Sequence, residues 1–400
     1  MNKHSEILIN QPILTRRLVW IMAFGSGVSV ANIYYIQPLI SQMANNYHIT
    51  QSSAGLVASF TQIGFALGLF FILPLAEIVE KKQLIMTILV LSCGSLSLLY
   101  VSPNLMITAI ALFAIGFTSI LPQLFIPLGA QLAPPEERGK IIGSIMSGLL
   151  IGMLLSRVFS GLAGERYGWK TIYLIAALMM IGLMVILKFN LPKCRALSKI
   201  KYQESLKSII PLIKQFPVLR ESAIIGAMAF CAFSAFWTAL TFLLQGTHYR
   251  LGADTAGMFG LVGIIGALFS PVAGRISDRK GPRFTVGINI IVIIVSYVVF
   301  GFWGYHLWGL IIGVILLDLG VQCCNVSNQT RIHQLNEEAR NRITAIYMVS
   351  YFLGGALGSY LGALTYQRYH WLGVCILGLG SQAIALCRYL YGLLGQRTRV

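Results

Sequence analysis

Charge is scarce in this chain. Of its 400 residues, 11% are charged and only 13 are Asp or Glu, while 56% are hydrophobic; the mean hydropathy is +0.75. A soluble domain carries about 25% charged residues. The polar side chains here are too few to cover a water-facing surface, so lipid must cover it. Other absences narrow the function. The seven cysteines are scattered without a C-x-x-C, which argues against a thiolate metal site or a disulfide framework. The six histidines all fall in predicted loops or at helix ends, leaving no intramembrane imidazole to carry protons. No G-x-x-x-x-G-K-[ST] loop occurs, so ATP is not the direct energy source. The loops hold no nucleophile–base or metal-ligand cluster, so no enzyme activity, cofactor or metal is expected. Period-2 alternation is missing, which excludes a membrane barrel.

What remains is apolar sequence in long runs. A helix needs about 20 apolar residues to cross a bilayer. Twelve such stretches occur, at 18–40, 55–76, 84–101, 105–132, 141–164, 171–191, 222–245, 256–274, 284–303, 307–330, 343–365 and 372–394. The expected fold class is all-α integral membrane.

The basic residues set the topology. With the N-terminus in the cytoplasm, 25 Lys and Arg fall on the cytoplasmic side and 4 on the other (Arg166, Lys170, Arg250 and Arg368), with Arg157 inside a helix. That split follows the positive-inside rule. It accounts for the net charge of +17 without nucleic acid and predicts both termini in the cytoplasm. Trp20, Trp169, Trp303, Trp308 and Trp371 fall at predicted helix ends, as an aromatic belt would, and Trp237 lies mid-helix.

A basic stretch from Lys188 to Glu221 divides the spans six and six. At an offset of 202, Arg138, Lys140, Met146, Gly152, Arg166, Tyr167 and Trp169 meet Arg340, Arg342, Met348, Gly354, Arg368, Tyr369 and Trp371. The chain therefore divides into an N-terminal half (1–192), a basic linker (193–221) and a C-terminal half (222–400), related by pseudo-symmetry. Such repeats place a binding site near the midplane, between the halves. Glycine pairs such as Gly148/Gly152 and Gly354/Gly358 have the spacing that lets helices approach closely.

The sequence "GRISDRKGPR" (274–283) resembles the loop signature G-x-x-x-D-R-x-G-R-R of the major facilitator superfamily, matching at Gly274, Asp278, Arg279, Gly281 and Arg283. The first-half copy, "LPLAEIVEKK" (73–82), is degraded, with Glu77 in place of Asp. "ANIYYIQPL" (31–39), "MSGLLIGMLLSRVFSG" (146–161) and "LLDLGVQCCNVSNQT" (316–330) resemble twelve-helix bacterial drug or sugar efflux proton antiporters. The resemblance implies an inner-membrane transporter. It also implies a central cavity lined by the first, fourth, seventh and tenth spans, and gating roles for Asp278, Arg279 and Arg283. The chain departs from the antiporter signature G-x-x-x-G-P-x-x-G-G, because Arg157 stands where that signature has Pro.

The lining spans offer Asn32, Tyr34, Tyr35 and Gln37, then Gln123, then Phe233, Phe236 and Trp237. Of these, Asn32, Tyr35, Gln123 and Trp237 are taken as substrate-binding, with an aromatic setting that suits a partly apolar neutral or cationic solute. Arg157 has two readings, a side chain snorkelling to the outer headgroups or a gating charge between the halves. Asp318 is the single acid within any predicted span. Gln322, Asn325 and Gln329 follow it at i+4, i+7 and i+11, on one helical face. An intramembrane acid is a functional candidate by default, so Asp318 is expected to couple protons, with Gln322 and Asn325 beside the solute. Arg157 is the partner that would neutralise it if its role were structural.

The expected function is secondary transport of a small molecule, as a monomer, by proton-coupled efflux. Proton-coupled uptake is the alternative in the same class. An integral membrane enzyme and a non-transporting sensor are the alternatives from other classes.

Overall fold

The computed structural model describes residues 14–76, 78–134, 136–192, 202–207, 209–268, 281–336 and 339–397. Asp278 and Arg279, with most of the signature loop and Glu77, lie outside the described residues. The described residues form helices and no strands. In chain order these are α1 (Arg16–Tyr34), a 3-10 turn (Gln37–Leu39), α2 (Ile40–Asn46), α3 (Gln51–Ala76), α4 (Lys81–Tyr100), α5 (Leu105–Thr118), α6 (Leu121–Leu132), α7 (Arg138–Tyr167) and α8 (Thr171–Asn190). After the linker helices α9 (Tyr202–Lys207) and α10 (Ile209–Gln215) come α11 (Pro217–Gln245), α12 (Ala253–Leu268), α13 (Pro282–Trp303), α14 (Leu307–His333) and α15 (Arg340–Arg397).

Ten stretches are long and apolar enough to cross a membrane. One of them holds two crossings, because α15 turns back at His370, whose φ is 51°. With α12 this gives twelve crossings in two six-helix halves. The first and fourth crossings are broken. Pro38 lies in the 3-10 turn that separates α1 from α2, and Pro122 opens α6 just beyond the gap after α5. Their partners in the other half, α11 and α14, run unbroken.

The internal repeat appears in the packing. Gly152 and Gly354 correspond at the offset of 202, and each brings main chain against main chain. A Cβ at Gly152 would stand 2.3 Å from Gly27 Cα, and one at Gly354 would stand 2.1 Å from the carbonyl oxygen of Ala227. Trp169 and Trp371 also correspond, and here the aromatic-belt expectation is corrected. Both are buried, whereas Trp20, Trp303 and Trp308 are exposed. Each buried indole donates within the bundle, Trp169 to Asn46 and Trp371 to the carbonyl of Phe300. A satisfied N–H lets the ring leave the interface.

The linker packs on the bundle: Ile209 and Leu212 are buried, and Tyr202 donates to the carbonyl of Phe71. Helix α11 begins at Pro217, ahead of the sequence boundary at 222, and so takes Glu221 into the bundle.

Among the described residues, three hydrogen bonds join the halves at the far end, opposite the basic loops. Thr241 donates to the carbonyl of Gln37 at 2.9 Å, Glu165 accepts the N–H of Ala253 at 3.1 Å, and Gln367 accepts the N–H of Ser52 at 3.0 Å. Gly161 and Gly257 let α7 lie on α12 there.

Candidate functional site at the interface of the halves

Helix α7 carries Arg157 at ten residues from its far end, and α14 carries Asp318 at eleven. At about 1.5 Å per residue both lie about 15 Å below that end. They share one level, on opposite halves.

Arg157 is fully buried, at 0% exposure, so it does not snorkel. The reason is the packing of α7. Gly257 and Gly260 bring α12 directly onto Arg157, with the Cβ positions of those glycines 2.4 Å from its carbonyl oxygen and 3.1 Å from its Cβ. The residue faces the other half of the protein and not lipid. Its Nε donates to Gln37 Oε1 at 2.8 Å. The 3-10 turn after α1 puts Gln37 there. The guanidinium carbon lies 3.9 Å from the ring centre of Trp237, 5.3 Å from Phe233 and 5.2 Å from Tyr34. Phe233 and Trp237 are one turn apart on α11 and share a face. A cation stacked on indole in a dry setting gains about 2 kcal/mol or more. Nη1 and Nη2 make no hydrogen bond among the described residues.

Asp318 is 1% exposed. Helix α12 covers it with Gly263, whose Cβ position is 3.1 Å from Oδ2. Neither carboxyl oxygen accepts a hydrogen bond among the described residues. Arg157 and Asp318 are near enough to feel one another's charge. They form no ion pair, however; among the described residues the ion pairs are those of Glu221 with Arg283 and Arg331. The ion pair with Arg157 that would neutralise Asp318 in a structural role is not among them.

The other expected residues divide. Trp237 is at the centre, with the Arg157 guanidinium over its ring. Tyr35 packs edge-on against Tyr173 of α8, inside the first half. Tyr34, one residue earlier, takes the place beside Arg157. Asn32 lies about 200° round α1 from Tyr34. That is the side of Gly25, which meets Phe125 and Leu183, and both amide atoms of Asn32 are buried without a hydrogen bond among the described residues. Gln123 is half-buried on α6. Gln322, Asn325 and Gln329 are half-buried on the Asp318 face of α14, so this face opens from Asp318 toward the basic end. Asn325 Oδ1 accepts from Tyr347 at 2.9 Å and from Gln329 at 3.2 Å. Arg283 stands apart, 3.5 Å from Glu221 and over the ring of Tyr389. Sequence reasoning did not select Gln37, Tyr34 or Phe233 for the site. The Gln-Pro pair that breaks the first span was the available signal for Gln37.

Known proteins resemble this one along its length. A transporter of Escherichia coli O157:H7, YgaY, is 36% identical over 365 residues, 91% of this chain and 93% of that one. The "Probable transporter SCO4007" of Streptomyces coelicolor is 30% identical, covering 89% of this chain and 83% of that one. A "Probable sugar efflux transporter" of Helicobacter pylori is 22% identical, over 92% and 93% of the two chains. Two solved structures share the fold. A peptide transporter, POT, has a TM-score of 0.79 at 12% identity, covering 98% of both chains. A bacterial homolog of the human lysosomal transporter Spinster has a TM-score of 0.75 at 11% identity, over 96% of this chain and 97% of that one. The sequence profile of the Major Facilitator Superfamily matches residues 22–359 and 258–394. With two six-helix halves, the chain is a multi-pass membrane transporter and belongs to the Major Facilitator Superfamily.

Proposed function

We propose that this transporter moves a small molecule by alternating access between its halves, with a proton carried on Asp318. One observation carries the reading: the Asp318 carboxyl is fully buried, without a hydrogen bond among the described residues, at the level where the halves meet. Intramembrane acids of this kind mark proton relays. When the far end opens, the carboxyl meets water on that side; when the basic end opens, it meets water on the other. Arg157 holds the opposite charge on the facing half. Gln322 and Asn325, on the open face of α14, are placed to meet the solute. The positive-inside pattern puts the basic end, with both termini, in the cytoplasm of a bacterial inner membrane. The protein works as a monomer.

Export in exchange for protons is the direction that the name of the Helicobacter pylori relative supports. A second reading, uptake together with protons, draws on a different observation: the Nη atoms of Arg157 make no hydrogen bond among the described residues, which suits an anionic solute that takes a proton with it. The test is flux in proteoliposomes under an imposed pH gradient, screened over sugars, carboxylates and amines. Asp318→Asn should abolish movement against the solute gradient while exchange without a gradient survives. Wild-type accumulation by Asp318→Asn would remove Asp318 as the coupling site.

A further inference from the structure

We infer that the solute carries an anionic group, a carboxylate or similar oxyanion, that docks on the open edge of the Arg157 guanidinium, and that it crosses with one proton on Asp318. The inference deepens the second reading above, uptake together with protons, and rests on its assignment of the proton to Asp318.

The geometry of the guanidinium is the first support. The guanidinium carbon lies 3.9 Å from the ring centre of Trp237, and Gln37 takes Nε at 2.8 Å. What is left is the terminal pair, Nη1 and Nη2, buried and without a hydrogen bond among the described residues. That fork matches a carboxylate with two parallel hydrogen bonds. Buried polar groups almost always have partners, and an unmatched buried cation is costly. Asp318, the acid at this level among the described residues, does not reach it as an ion pair. Tyr34, Phe233 and Trp237 around the guanidinium offer contact to an organic, partly apolar remainder.

Charge balance over the transport cycle is the second support. Moving net charge through a low-dielectric core is expensive. Without solute, Arg157 as a cation and Asp318 as an anion sum to zero. With an anionic solute on Arg157 the sum returns to zero only when Asp318 holds a proton. Anion without proton leaves one negative charge, and proton without anion leaves one positive charge. The two neutral states are the ones that cross readily, so proton and anion bind cooperatively, one to one, and their joint movement carries no net charge. A cationic solute would face a fixed guanidinium and aromatic faces already occupied by it. Among the described residues, the charged or titratable groups near Asp318 are Arg157 on α7, Tyr34 on α1 and Tyr351 on α15, while α12 presents Gly263.

The experiment uses the purified full-length transporter. Ligand-induced thermal stabilisation is measured with straight-chain and aromatic monocarboxylates, each beside its own amide, at acid and neutral pH. At least one carboxylate should bind more tightly than its amide, and its affinity should rise up to about tenfold per unit of pH lowered while Asp318 titrates. Arg157→Gln should lose that preference. Arg157→Lys keeps the charge and loses the fork, and should bind at least about tenfold more weakly. Asp318→Asn should bind the carboxylate at every pH, with no pH dependence. In proteoliposomes, a pH gradient should drive accumulation and a membrane potential alone should not. The inference is overturned if no carboxylate binds better than its amide, if Arg157→Gln keeps the preference, or if potential alone drives uptake. Unchanged pH dependence in Asp318→Asn refutes the proton-carrier reading and the coupling built on it. Docking on Arg157 is then judged separately, by the Arg157→Gln result.

Discussion

Glu221 of α11 and Arg331 of α14 form an ion pair of 2.8 Å between side chains that are each less than a tenth exposed. Arg283 of α13 approaches the same carboxylate oxygen at 3.5 Å. The second arm of α15 closes over them with Gly392, whose Cβ position is 2.3 Å from Glu221 Oε2. One carboxylate thus ties four helix segments of the second half at its basic end.

Removing that carboxylate takes the buried Arg331 guanidinium's ion pair away, a change that costs about 3–5 kcal/mol. Glu221→Ala is expected to lower the thermal unfolding temperature of the purified protein, with Glu221→Gln falling between it and wild type. An unaltered melt for Glu221→Ala would show that the cluster does not hold the half together.

Glu165, at the end of α7, accepts the first N–H of α12 across the interface, and Gln42 also donates to it. Carboxylates are favoured at helix N-termini, so this contact stabilises the closed far end. Glu165→Ala should shift the population toward the far-end-open state. Spin labels at Ser52 and Gln367, which touch in this structure, should then report a longer distance. An unchanged distance distribution would exclude a latch.

Two glycines separate stability from gating. At Gly152 an added methyl meets the main chain of α1 within the first half; at Gly257 it meets the carbonyl of Arg157, in the other half. Overpacking typically costs about 1–3 kcal/mol. Gly152→Ala is expected to reduce yield and melting temperature. Gly257→Ala should leave both closer to wild type while raising alkylation of a cysteine placed at Ser52. The same loss of yield from both would mean that the two contacts are not distinct in kind.

Orientation is tested by reporter fusions. Those after Lys214 and near the end at Arg399 should report cytoplasm, and one at His306 the outer side. Opposite faces for the first two would break the twelve-crossing topology.

Much of this was legible before any coordinates. Hydropathy gave the crossings within a few residues because the bilayer sets their length. A single acid in an apolar run made Asp318 conspicuous. Glu221 was not, because its neighbours read as linker, and only the early start of α11 brings it inside. Arg157 had two readings because depth alone does not say which way a helix faces; its contact with the glycines of α12 settles that. Tyr34 faces Arg157 and Tyr35 faces Tyr173, because one residue turns a side chain by about 100°, a phase that the sequence does not give. Two residues separate Asn32 from Tyr34, enough to set them on opposite sides of α1.

The seal at the far end sets a main-chain group of one half against a side chain of the other: the carbonyl of Gln37 against Thr241, the N–H of Ser52 against Gln367 and the N–H of Ala253 against Glu165, beside the bare backbone at Gly161 and Gly257. Main-chain atoms are the same whatever side chain evolution supplies. Descendants of this protein can therefore exchange the residues around Arg157, and with them the cargo, without rebuilding the closure. Recognition and closure are free to diverge at different rates, so a lineage can acquire new solutes while inheriting an old mechanism of motion.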